Sequence, residues 1–188
     1  MRSRLGDSGR LRRAATAGIA TAAVGVLAAC FPTYDWRESR PEGSSVRMMF
    51  PCRPHRTVRS IVLGSQPLRM TVASCSAAGT TFGVAYVEVA EPGRVAPTLE
   101  ALREVAAGNV AAAPASGVAH RVAGATPNDR MERVRLLGSL PDGRAVTLQA
   151  VFFVRGLRVY QASIVGAEIA SDAAETFFAA IRVEPAAP

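Results

Sequence analysis

The stretch Ala145-Val146-Thr147-Leu148-Gln149-Ala150-Val151-Phe152-Phe153-Val154-Arg155-Gly156-Leu157-Arg158-Val159-Tyr160-Gln161-Ala162-Ser163-Ile164-Val165 decides the fold class. Its first ten residues give the strongest strand signal in the chain, a run rich in β-branched and aromatic side chains. Arg155-Gly156 reads as a turn, and Val159, Tyr160, Ile164 and Val165 mark a second strand behind it. Upstream, Glu132 to Leu137 alternates around Val134 and Leu136, and Pro141-Asp142-Gly143 has turn composition. Three strands joined by short turns predict an antiparallel meander.

Working outward, the N-terminal half repeats this pattern. Val46-Arg47-Met48-Met49-Phe50 alternates and stops at Pro51. A second strand over 56–63 closes at Gly64-Ser65-Gln66-Pro67, and a third carries Leu68, Met70 and Val72. Ala78-Gly79 turns into a fourth, in which Phe82, Val84 and Tyr86 share a face. A helix follows from about Thr98, its N-cap, to Ala112, with Leu99, Leu102, Ala106 and Val110 as its apolar stripe. Val118 to Val122 reads as a short strand. The last element is a helix over about 172–182. It opens on an Asp172–Glu175 capping box and faces inward with Ala174, Phe177, Phe178 and Ile181. Strands then helix, twice over, predict an α+β domain across 46–184: a mostly antiparallel sheet of about seven to eight strands with two helices packed on it.

The apolar fraction of 49% and the 188-residue length suit one domain with a real core. The first 29 residues read differently. Arg2, Arg4, Arg10, Arg12 and Arg13 stand against a single acid, Asp7, and 16 uncharged, mostly Ala residues follow. That run is shorter than the roughly 20 residues needed to span a bilayer, and a basic head, an apolar middle and small residues at the end are the parts of a secretory signal. With 1–29 removed, 17 Arg and 14 acidic residues remain, a net of +3 against +7 for the whole chain. These charges are scattered singly and there is no basic stripe with interleaved aromatics, so nucleic acid is not an expected partner.

Leu27-Ala28-Ala29-Cys30 resembles the lipobox of bacterial lipoproteins. The resemblance implies cleavage before Cys30, acylation of its thiol, and attachment to a membrane through that lipid, with 30–45 as a tether. Phe31 follows the cysteine where many inner-membrane lipoproteins carry Asp. The location this implies is the cell envelope, at the outer membrane facing the periplasm. Tyr34 and Trp36 lie in the tether, where they either pack back on the domain or sit at the membrane interface.

Giving Cys30 to lipid leaves Cys52 and Cys75, an even pair in an oxidising compartment, which reads as a disulfide pinning neighbouring strand ends. Closing that loop is worth roughly 3 kcal/mol by chain entropy. The competing reading, a metal held by Cys52 and His55, has only Cys75 and the distant His120 to complete it, so no metal and no cofactor is expected.

Two stretches resemble small bacterial exported proteins whose fold is like the PsbP subunit of photosystem II. One is Met49-Phe50-Pro51, a strand pair, and Phe82-Gly83-Val84-Ala85-Tyr86. The other is Gly156-Leu157-Arg158-Val159-Tyr160 before Phe177-Phe178 and Ile181-Arg182-Val183. The resemblance implies a PsbP-like sandwich and carries no catalytic residues.

Chemistry was sought and no constellation stands out. His55 and His120 each neighbour an Arg and read as surface residues. Glu88 and Glu91 read as a solvated strand end. Phe152-Phe153 and Phe177-Phe178 read as core rather than cavity lining. The functional expectation is a lipid-anchored, non-enzymatic envelope protein that binds or supports a protein partner. The alternative is a small-molecule or lipid carrier with an apolar cavity between sheet and helix.

Overall fold

The computed structural model describes residues 33–64 and 66–184; the segment expected as a signal and Cys30, expected to carry lipid, lie outside the described residues. The chain runs β1 (Arg37–Ser39), β2 (Val46–Phe50), β3 (His55–Leu63), β4 (Gln66–Ala77) and β5 (Thr80–Glu88), then a 3-10 turn (Pro92–Arg94) and α1 (Val95–Gly108). It continues with β6 (Val118–Ala119), β7 (Glu132–Ser139), β8 (Ala145–Arg155), β9 (Arg158–Gly166), α2 (Ser171–Ala179) and β10 (Arg182–Val183). Seven strands form one antiparallel sheet in the order β3-β4-β5-β9-β8-β7-β6. Three more form a small antiparallel sheet, β1-β2-β10. The fold is α+β, as expected.

The predicted meander is β7-β8-β9, and its long run of apolar residues has a structural cause. Val146 to Val154 are buried without a break, because β8 is covered on both faces. Leu148, Ala150, Phe152 and Val154 join Val134 and Leu136 of β7 beneath Leu99, Leu102 and Ala106 of α1. Val151 and Phe153 point the other way, where Val84, Tyr160 and Ile164 of the neighbouring strands meet Phe177 of α2 and Val46, Met48 and Phe50 of β2. Helix, large sheet, then helix with small sheet gives three layers, and each core lies within 33–184. The two faces differ in character. The α1 side is mainly aliphatic, whereas the α2 side is aromatic: Phe153 stacks on its cross-strand partner Tyr160 at 4.8 Å, and Phe82 meets Phe177 edge-on at 5.4 Å.

β4 and β5 meet at a two-residue turn in which Ala78 (φ 50°) and Gly79 (φ 71°) both take positive φ. That is the backbone a type I′ hairpin requires, and glycine supplies it without steric cost.

Four expectations need correction. The strand over 46–50 belongs to the small sheet, so the cysteine bridge joins the end of β2 to β4 of the large sheet rather than neighbouring strands. Helix α1 begins at Val95, and Thr98, expected as N-cap, is buried inside its first turn. Pro97 is tolerated there because the first N–H groups of a helix have no partner to lose. In α2 the cap is Ala170, with no side-chain capping bond. Asp172 accepts the N–H of Ala173 at 2.8 Å, and Glu175 reaches Arg133 instead of closing a capping box. The helix stops at Ala179, and Arg182–Val183 crosses to β2 as β10.

The stretch expected as tether belongs to the domain from Thr33 onward. β1 pairs with β2, and Tyr34 and Trp36 pack edge-on against Phe82 at 6.1 and 6.0 Å. Two tyrosines of the central strands hold the following backbone: Tyr86 Oη donates to the Glu42 carbonyl (2.9 Å) and Tyr160 Oη to the Ser44 carbonyl (2.7 Å). Buried hydroxyls need acceptors, and these carbonyls, which a free tether would leave to water, provide them.

Candidate functional site

The polar residues that interrupt the apolar run of β8, Thr147 and Gln149, lead to a site. Gln149 is only 9% exposed, so its side-chain oxygen needs donors from the protein. Arg133 on β7 supplies two, from Nε (3.2 Å) and Nη2 (2.7 Å). Its Nη1 donates to Glu175 Oε1 of α2 at 2.6 Å, and the guanidinium lies 4.5 Å above the ring of Phe178. The arginine therefore ties the rim of the sheet to the helix through four contacts, using the planar geometry that a lysine lacks.

His120 completes this corner. Its backbone N–H donates to the Met131 carbonyl (3.0 Å), and its ring meets Phe178 edge-on at 6.4 Å. Nε2 is buried and has no hydrogen-bond partner among the described residues. Burial, reinforced by the Arg133 charge, holds the imidazole pKa below its ordinary value against the opposing pull of Glu175 and a backbone hydrogen bond with Phe178. The ring is thus neutral at neutral pH. His120, Arg133, Arg135, Gln149, Ser171 and Glu175 line an open cleft of about 490 Å³. Val118 and Leu137, on the outermost strands of this rim, are more than two-thirds exposed.

A second cleft, of about 360 Å³, opens between α1 and β7. Here Arg103 pairs with Glu132 (3.1 Å) and lies 5.6 Å over Phe152. The Glu132 carboxylate also accepts the N–H of Gly117 at 3.0 Å, the largest of the effects that keep its pKa below the usual range. A side chain at residue 117 would collide, since a Cβ there would lie 2.4 Å from the Arg133 carbonyl oxygen.

His120 has no hydroxyl or thiol hydrogen-bonded to Nε2, as a general base activating a nucleophile would need. Glu88 pairs with Arg158 (2.9 Å) and Glu91 with Arg94 (3.2 Å), so the two acids form no carboxylate pair. Phe152 and Phe153 face opposite sides of the sheet and serve the two cores separately.

Of the residues singled out in the sequence, Cys52 and Cys75 are joined by a disulfide with Cα atoms 6.0 Å apart. Their sulfurs bond each other, so the alternative metal pair loses its thiols. His55 is exposed at the start of β3, opposite Ser74 and remote in the strand order from the β7 rim. His120, expected at the surface, is half-buried against Phe178. The Arg133–Gln149–Glu175 group was not anticipated; a Gln inside the most apolar strand was the signal that could have found it. Among the described residues no helix is long and apolar enough to cross a membrane. No known protein family matches the chain, and no curated protein or solved structure matches it either.

Proposed function

We propose that the chain is a bacterial lipoprotein, cut before Cys30, acylated on that thiol, and held by it in the cell envelope. The location that fits Phe31 is the periplasmic face of the outer membrane. The observation that carries this reading is Leu27-Ala28-Ala29-Cys30 behind an Arg-rich head and an uncharged run of 16 residues. The Cys52–Cys75 disulfide supports it, since such bonds persist in oxidising compartments. The anchored domain acts as a non-enzymatic binding or accessory protein. In support, the histidine and acids that could carry chemistry are engaged in structural contacts. Its likeness to PsbP-like exported proteins belongs to the same proposal; a sheet covered on both faces fits what that resemblance implies.

The carrier reading requires an apolar cavity between sheet and helix. Phe50, Phe82, Phe153, Tyr160, Phe177 and Phe178 are fully buried between the sheet and α2, and the cleft beside α1 is open and lined by charged side chains, which favours the binding role. Mass spectrometry of the protein purified from membranes tests the anchor: an N-terminal Cys30 carrying acyl chains is expected, and a free N-terminus at another residue overturns it. Lipid extraction of the same sample tests the carrier: one non-covalent lipid per chain would displace the binding reading.

A further inference from the structure

Between Glu42 and Glu88 the sequence contains no acidic residue and five arginines. Arg47 is neutralised by Glu38 and Glu184. The other four, Arg53, Arg56, Arg59 and Arg69, are exposed on or beside the β3–β4 hairpin, with no acid or other polar partner among the described residues. β3 is the outermost strand of the sheet. Arg56 faces Ala73 and Arg69 faces Ser60 on one side of the hairpin, while Arg59 faces Met70 on the other. Pairing of β4 with β5 begins only at Thr71, so Arg59 and Arg69 stand on the part of the hairpin that extends past the next strand. Elsewhere most arginines meet an acid: Arg37, Arg40, Arg103, Arg130, Arg133, Arg144 and Arg158 all do.

The hairpin root is also where the chain arrives from Cys30. The N–H of Asp35 donates to the Pro51 carbonyl at 3.0 Å, and Cys52 next to it is bonded to Cys75 of β4. Five residues separate Cys30 from Asp35, which limits the distance between them to about 18 Å. Resting on the lipoprotein reading, this keeps the root within reach of the bilayer in which the lipid sits. Arg53 is two residues from Pro51, and Arg56 lies near the start of β3.

We infer that the β3–β4 hairpin is a membrane-contact surface, on which Arg53, Arg56, Arg59 and Arg69 bind anionic phospholipid headgroups and hold the domain down beside its anchor. Basic side chains near an anionic leaflet each strengthen attachment, and the effect decays over about 10 Å at moderate salt. A charged edge also blocks strand addition, and that function alone would need no lipid.

The test uses the chain from residue 30 onward with Cys30→Ala, so that no acyl group contributes, floated with phosphatidylglycerol–phosphatidylcholine vesicles and with phosphatidylcholine vesicles. Binding to the anionic vesicles is expected, weakening as salt is raised. It should fall by at least about tenfold in the Arg53→Gln/Arg56→Gln/Arg59→Gln/Arg69→Gln variant and stay unchanged in an Arg121→Gln/Arg155→Gln control. Circular dichroism shows that each variant is folded, and the salt dependence of the parent chain needs no variant. Equal binding to both vesicle types overturns the inference. So does a quadruple variant that keeps its binding, one whose only change is self-association, or a parent chain that binds polyglutamate but not vesicles. The acyl group on Cys30 is read separately by mass, so a missing anchor and a missing headgroup surface give different results.

Discussion

At one rim of the large sheet Arg133 is held by Gln149, Glu175 and the ring of Phe178. At the other, Arg56, Arg59 and Arg69 stand on an open hairpin with no acid beside them among the described residues. One residue type does two physically different jobs. At the β7 rim the guanidinium is largely withdrawn from water, and its partners depend on it: removing it would strand the buried oxygen of Gln149. At the β3 rim the guanidinium stays hydrated, so nothing in the fold depends on it and its charge is free to act outward. The comparison teaches that stability and surface chemistry are assigned to opposite edges of one sheet.

The largest effect is expected where the hairpin is fastened. Replacing Cys52 and Cys75 by Ala should lower unfolding free energy by about 3 kcal/mol in denaturant titration. A loss well below that would mean that the ladder between β3 and β4, not the bridge, fixes the free rim. At the other rim, Arg133→Ala should cost about 1–3 kcal/mol by the same measurement. Arg133→Met combined with Gln149→Leu should cost less than the single change, because no buried polar group is then left unpaired. If the double variant is the worse of the two, the arginine holds the helix mainly through Glu175 and Phe178.

A smaller effect at the β7 rim depends on pH. The pKa of His120 is lowered in the folded chain, so the unfolded chain binds the proton more readily. Its contribution to stability is complete above the unfolded value of 6.5 and declines as the pH falls through that value. Thermal unfolding should therefore show a steeper loss below neutrality in the parent than in His120→Gln. Least of all, Arg56→Ala and Arg59→Ala should each change stability by no more than about 0.5 kcal/mol, as surface substitutions do. A larger loss at either would mean that the free rim is also structural.

The sequence was legible where one strand signalled its own environment. β8, β9 and the β4–β5 hairpin follow from runs, alternation and turn residues that act over a few positions. β1 and β10 were not legible. They are three and two residues long, and their strand character comes from β2, which no local pattern identifies as their partner. The start of α1 was misplaced because Thr98 has the chemistry of an N-cap, although it lies buried within the first turn. The disulfide was expected from a cysteine count in which the lipobox reading set Cys30 aside and left Cys52 and Cys75 as a pair. The β7 corner was not legible, because Arg133, Gln149 and Glu175 come from three separate elements, and each alone resembles an ordinary surface residue. The hairpin arginines were visible as letters, but their isolation is a property of the fold, which sends the acids elsewhere.

β10 returns the end of the described chain to β2 near its beginning. Val183 N–H donates to the Ala123 carbonyl and Glu184 N–H to the Ser45 carbonyl, both at 2.8 Å. The fit is close enough that a Cβ on Gly124 would lie 2.0 Å from the Val183 carbonyl oxygen. A polypeptide delivered N-terminus first thus presents Val46, Met48 and Phe50 long before the strand that completes their sheet has emerged. Contacts of such sequence separation form slowly. Until they do, an apolar strand edge is open to proteases and to other chains, so a chain emerging N-terminus first is most vulnerable just before residues 182–183 appear.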